Sequence, residues 1–120
     1  MTTSPQDSLS NLQKKFKWPE TRPDCTPLEW NLDGGGKSLV EEQIRKQQAK
    51  TLIEIGVFMG GSLKRWLQCS PTLTCVAIDP WKDGDWWATY AIANGKEDYA
   101  EQLGGKDGPF HTFLSTMWEK

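Results

Sequence analysis

Two short apolar runs, separated by a glycine turn and a segment with helical spacing, constrain this chain more than any other feature. Thr51-Leu52-Ile53-Glu54-Ile55-Gly56 is β-rich and stops at glycine, and Leu63, Trp66 and Leu67 then recur on one helical face. Ser70-Pro71 ends that helix, and residues 73–79 form a second apolar run before Pro80. Because this run is continuously apolar, it suits a strand covered on both faces of a parallel sheet. Strand, tight turn, helix and strand make one β-α-β unit, whose crossover is expected to be right-handed. An α/β fold follows.

The flanking segments read differently. Residues 1–33 carry Pro5, Pro19, Pro23 and Pro27, which predicts an irregular arm anchored by Phe16, Trp18, Leu28 and Trp30. Residues 34–120 are the expected domain. Ser38 and Glu41 have capping-box spacing, so a helix is expected from there to about Lys50, with Leu39, Val40 and Ile44 toward the core. After Trp81 comes a polar, glycine-containing segment with Trp86, Trp87 and Tyr90, read as loop and then a helix running through Tyr99 to Leu103. Asp107-Gly108-Pro109 announces a last helix, whose Phe110, Phe113, Leu114, Met117 and Trp118 make a wide apolar face.

Composition narrows the partners. A formal net charge of -2, from 14 basic and 16 acidic residues, gives no electrostatic footprint for nucleic acid. No apolar run approaches a membrane span and the N-terminus lacks the pattern of a secretory signal, so a cytoplasmic protein with a small-molecule partner is expected. Cys25, Cys69 and Cys75 include no C-x-x-C pair, so neither a disulfide framework nor a thiolate metal site is indicated.

The residues that carry chemistry lie on the β-α-β unit. Gly56-Val57-Phe58-Met59-Gly60-Gly61-Ser62 joins the first strand to its helix, and Asp79 ends the second strand. In an open parallel sheet both features fall at the carboxyl edge, where ligands bind. Glycine there lets backbone approach a ligand, and Asp79 offers two acceptors to a ribose diol. Glu54, a carboxylate near the end of a buried strand, needs a partner: either a basic side chain of the neighbouring helix or a cationic ligand group.

Glu54-Ile55-Gly56-x-x-x-Gly60-x-Ser62 resembles the first motif of class I S-adenosylmethionine-dependent methyltransferases, and Ala77-Ile78-Asp79-Pro80-Trp81 resembles the acidic end of their second strand. The resemblance implies a Rossmann-like, three-layer αβα fold with parallel strands, here ending after the second strand and the helices that follow it. It also implies roles. Gly56, Gly60, Ser62 and the loop around them hold the methionine portion, and Asp79 binds the ribose hydroxyls. Glu54 orients the loop and the cofactor's amino group, while Trp81 touches the adenine. The implied reaction is methyl transfer to a small-molecule acceptor. Nothing in the chain matches the later strands or the substrate-facing half of that family. The chain is therefore expected to be an incomplete catalytic domain, possible as a homo-oligomer, whose last helix needs a sheet extended by strands beyond Lys120 to cover it.

Other readings fit less well. A nicotinamide-dependent oxidoreductase needs a third glycine where Ser62 and Leu63 stand, and leaves Glu54 unexplained. A non-catalytic module using the tryptophan-rich segment 81–87 requires an exposed aromatic patch. Asp33-Gly34-Gly35-Gly36-Lys37-Ser38 mimics the end of a P-loop, but Asn31 stands where the first glycine belongs and no strand precedes it. Asp83-Gly84-Asp85 lacks the further oxygen ligands of a calcium loop, and His111 has no visible acid or nucleophile beside it.

Overall fold

A computed structural model of the chain describes residues 4–30 and 36–118. Among these it forms six α-helices and one two-stranded parallel sheet. The expected domain boundary at residues 33–34 and the turn preceding Gly36 lie outside the described residues.

The β-α-β unit forms where the apolar periodicities put it. Strand β1 (Thr51–Ile55) runs parallel to β2 (Thr74–Ile78), with Leu52 opposite Cys75 and Glu54 opposite Ala77. Between them α3 (Gly61–Cys69) buries Leu63 and Trp66. Leu52, Cys75 and Ala77 pack on a core containing Leu63, Trp66 and Ile44, the last from α2 (Lys37–Lys46). Because side chains alternate along a strand, Ile53, Ile55 and Ile78 point to the other face. There they are exposed, Ile55 by 79%. The expectation that β2 is covered on both faces is thus corrected: helices cover one face, and the described residues supply no third layer.

Helix α2 starts earlier and stops sooner than its sequence suggests. Gly36, in the left-handed region at φ 89°, is its N-cap and no side chain caps it. Ser38 and Glu41 therefore make no capping box. Glu41 instead pairs with Arg65 of α3, which ties the two helices together. Leu39 and Val40 are exposed, so Ile44 alone of the three expected residues reaches the core.

The N-terminal arm is not irregular throughout. Ser4 caps α1 (Pro5–Lys15) by accepting the Asp7 amide at 3.1 Å, with proline in the first turn. Beyond it, residues 16–30 contain no helix or strand and strap themselves to α6 (Gly108–Met117). Leu28 donates its amide to Thr116 Oγ1 at 2.8 Å, Ser115 donates its hydroxyl to the Cys25 carbonyl at 2.6 Å, and Arg22 donates to Ser115. Leu28 and Trp30 are buried anchors, whereas Phe16 is exposed and anchors nothing.

The last helix is largely covered within the described residues: Phe113, Leu114 and Met117 are each under 5% exposed and share one core with Ile44, Val57, Leu63, Trp66 and Leu73. After Trp81 the chain is loop and then helix, as expected, but the loop ends at Asp83, so Trp86 and Trp87 lie on α4 (Gly84–Ala93). The helix is broken before Leu103 into α4, a 3₁₀ turn (Glu97–Tyr99) and the short α5 (Ala100–Leu103). No helix among the described residues is long and apolar enough to cross a membrane.

Candidate functional site

The loop from Gly56 to Gly61 sits at the carboxyl end of β1, and hydrophobic burial fixes it from both sides. Val57 enters the core beneath α3 and α6, while Met59, fully buried, enters a second core with Leu28, Trp30, Ala91 and Leu103. Each such burial stabilises by about 1.5–3 kcal/mol, enough to hold a turn whose backbone is costly. Gly56, Phe58 and Gly60 all have positive φ, at 84°, 55° and 85°. At Gly56 an added Cβ would meet nothing within 4 Å, so the backbone there stays open to approach.

Gly60 is small for another reason. A Cβ at this position would stand 2.7 Å from Met117 Sδ and 3.2 Å from Phe113 Cε2. Its lack of a side chain serves the seating of α6 on the loop.

Asp79 does come beside the loop, as its place at the end of β2 requires. Its Oδ2 accepts the Phe58 amide at 2.9 Å and its Oδ1 accepts the Trp81 amide at 2.7 Å. An ionised carboxylate has about four acceptor directions, so two remain. Trp81 is turned inward: its indole donates to the Phe58 carbonyl at 2.7 Å, and its ring stacks on Phe113 with centroids 4.7 Å apart. The ring expected to touch an adenine is thus engaged by the loop and α6.

Glu54 faces the helix-covered side of the sheet. Its Oε2 is buried without a hydrogen-bond partner among the described residues. Burial raises its pKa above 4.5, opposed by a hydrogen bond from Trp66 and the charge of Lys37. The same burial, together with the Glu54 charge, pushes the Cys75 thiol up to about 11, so Cys75 is a protonated, inert core residue near neutrality.

A cleft of about 110 Å³ opens between the loop and the start of α3, lined by Trp30, Lys37, Gly56, Val57, Phe58, Gly61 and Ser62. A second, of about 180 Å³, lies beyond Gly61 and Trp30, with Lys64 and Arg65 in its wall. Drug-sized ligands occupy roughly 300–1,000 Å³, so each cleft suits a head group rather than a whole nucleoside. Lys64 is paired with Glu29, as Arg65 is with Glu41.

Sequence reasoning missed Lys37 and Trp30 as cleft residues. In the sequence Lys37 belongs to a segment that mimics a P-loop and Trp30 to the N-terminal arm; only the folding of the arm over α6 brings Trp30 to the loop. It also missed the aromatic cluster behind the cleft, where Trp30, Tyr90 and Trp86 stack in series and Phe58 lies 4.1 Å from Trp87. Helical spacing in 83–94 was the available signal. His111 is exposed, and no group of three or more potential metal-ligating side chains occurs among the described residues. Comparison with protein-family models, curated proteins and solved structures finds no match to this chain.

Proposed function

We propose that residues 51–81 are the cofactor-binding first half of a Rossmann-like, class I S-adenosylmethionine-dependent methyltransferase acting on a small molecule. The observation that carries this reading is that Glu54, Gly56 and Asp79 all lie at or just past the carboxyl ends of two adjacent parallel strands, with Asp79 bonded to the loop that follows Gly56. Ligands of open parallel sheets bind at that edge.

The residues suit such a cofactor. The Glu54 carboxylate already accepts from Trp66, and its buried Oε2, without a hydrogen bond among the described residues, would take the cofactor's cationic amino group. Gly56 and Ser62, both lining the loop cleft, would hold the methionine portion, and Asp79 retains acceptors for the ribose diol. Gly60 and Trp81 act on the loop's shape rather than on the ligand. When bound, S-adenosylmethionine supplies a methyl group on a sulfonium, already an excellent leaving group. The protein's task is then chiefly alignment, which in well-oriented systems is worth about 7–11 kcal/mol of the barrier. Glu54 orients the bound end, Asp79 the sugar, and the buried loop holds the two at a fixed separation.

Titration with S-adenosylmethionine, S-adenosylhomocysteine and NADH, followed by calorimetry and tryptophan fluorescence, tests the reading, since Trp30 lines the cleft. Binding of both S-adenosyl compounds and not of NADH is expected. Binding of NADH alone would return the nicotinamide reading, and binding of none would remove the cofactor assignment.

A further inference from the structure

Positive φ recurs three times in the ligand loop, and two of the three positions are glycine. The third is Phe58. A side chain with a Cβ is strained in this region, so something must hold it there. Asn or Gly would need no such support. The chain keeps an aromatic residue at this position instead, whose ring packs on Trp87 and Trp30.

The support is a closed ring of hydrogen bonds. Asp79 accepts the Phe58 amide through one oxygen and the Trp81 amide through the other, at 2.9 and 2.7 Å. The Trp81 indole closes the ring by donating to the Phe58 carbonyl at 2.7 Å. Phe58 is thus gripped at both ends of its backbone, across the gap between the two strand ends. The indole nitrogen can only donate, so its direction is set by the ring plane. That plane is fixed by Phe113 at 4.7 Å and Phe110 at 5.1 Å, both from α6.

We infer that Trp81 is a positioning residue for the ligand loop: its indole N–H, acting with Asp79, holds Phe58 left-handed and so sets the shape of the Gly56 cradle. The role deepens the S-adenosylmethionine reading, and its ligand test rests on that reading, but the hydrogen-bond ring is testable without any ligand.

Trp81→Phe keeps an aromatic ring for α6 and removes the indole donor. Amide hydrogen exchange at Phe58 is expected to accelerate about ten-fold, the size of one lost hydrogen bond, while amides of β2 and α6 keep their rates. Adding Phe58→Asn to that variant should restore slow exchange, because Asn tolerates positive φ. An unchanged Phe58 rate, or equal acceleration throughout the chain, overturns the inference. Should Trp81→Phe fail to fold, the indole proton of Trp81 in the unsubstituted chain decides: slow exchange supports the ring, and exchange at the rate of a free indole refutes it. Calorimetric titration with S-adenosylhomocysteine is then expected to give about ten-fold weaker binding to Trp81→Phe. If the unsubstituted chain itself does not bind that compound, the cofactor reading fails and the exchange rates still decide the role of Trp81.

Discussion

Gly60 lies directly beneath Met117, so close that a Cβ on the glycine would stand 2.7 Å from the methionine sulfur. The same glycine has φ 85°. Its place in the turn suggests smallness for the approach of a ligand, and its immediate neighbour is the last helix. Gly60→Val should therefore destabilise the whole fold, by about 2–4 kcal/mol from left-handed strain and overpacking together. Urea denaturation measures the loss, and ligand binding and stability should fall together. Normal stability with lost binding would return Gly60 to the ligand.

Asp79→Ala removes the acceptor of two backbone amides, at Phe58 and Trp81. A loss of about 1–3 kcal/mol in cofactor affinity is expected, measured by calorimetry, with a lowered melting temperature from the released loop. Asp79→Asn, which keeps one acceptor, should fall between. Unchanged affinity in a folded Asp79→Ala variant would take this residue out of the site.

Glu54 makes stability depend on pH with a definite sign. Its folded-state pKa lies above 4.5 because of burial, so just above pH 4.5 the folded chain keeps a proton that the unfolded chain has lost. Stability then falls as pH rises through the window from 4.5 to the raised value, and the loss is complete above it. Glu54→Gln should abolish that slope and leave the protein at least as stable near neutrality, while weakening cofactor binding. Urea midpoints across this range, compared between the two proteins, check it; parallel slopes would contradict it.

Thr116 ties the arm to the last helix from a buried position. Its hydroxyl accepts the Leu28 amide at 2.8 Å and donates to the Thr112 carbonyl at 2.7 Å. Thr116→Val conserves shape but strands the Leu28 amide, an expected loss of about 1–3 kcal/mol, whereas Thr116→Ser should lose less because it keeps the hydroxyl. Thermal denaturation of the pair separates hydrogen bonding from packing.

The uncovered sheet face predicts a surface property. Ile53, Ile55 and Ile78 form an exposed apolar strip on two strands, beside sheet edges that carry neither Pro nor Lys within the strands. The chain should bind a hydrophobic dye, and joint substitution of the three by Thr should reduce dye fluorescence while changing stability by only about 0.5 kcal/mol per site. Undiminished dye binding would locate the apolar surface elsewhere.

The β-α-β unit and the neighbourhood of Glu54, Gly56 and Asp79 were legible in the sequence. Local periodicity determined them: alternating and continuous apolar runs specify strands, a glycine ends the first, and parallel pairing brings both carboxyl ends to one edge. The start of α6 was legible for a similar reason, since Gly108 and Pro109 act on their own backbone. What the tertiary structure decided is where each surface is spent. No local rule indicates that residues 22–30 fold back on α6, that Glu41 leaves a cap to meet Arg65, or that Met117 seats itself on Gly60, because these contacts join positions 24 to 93 apart. Trp81 is the clearest case. The sequence set it beside the acid of a ligand site, but its indole turns inward because Phe58 needs a donor for its carbonyl and Phe113 offers a ring to stack on, neither of which is adjacent to it in the chain.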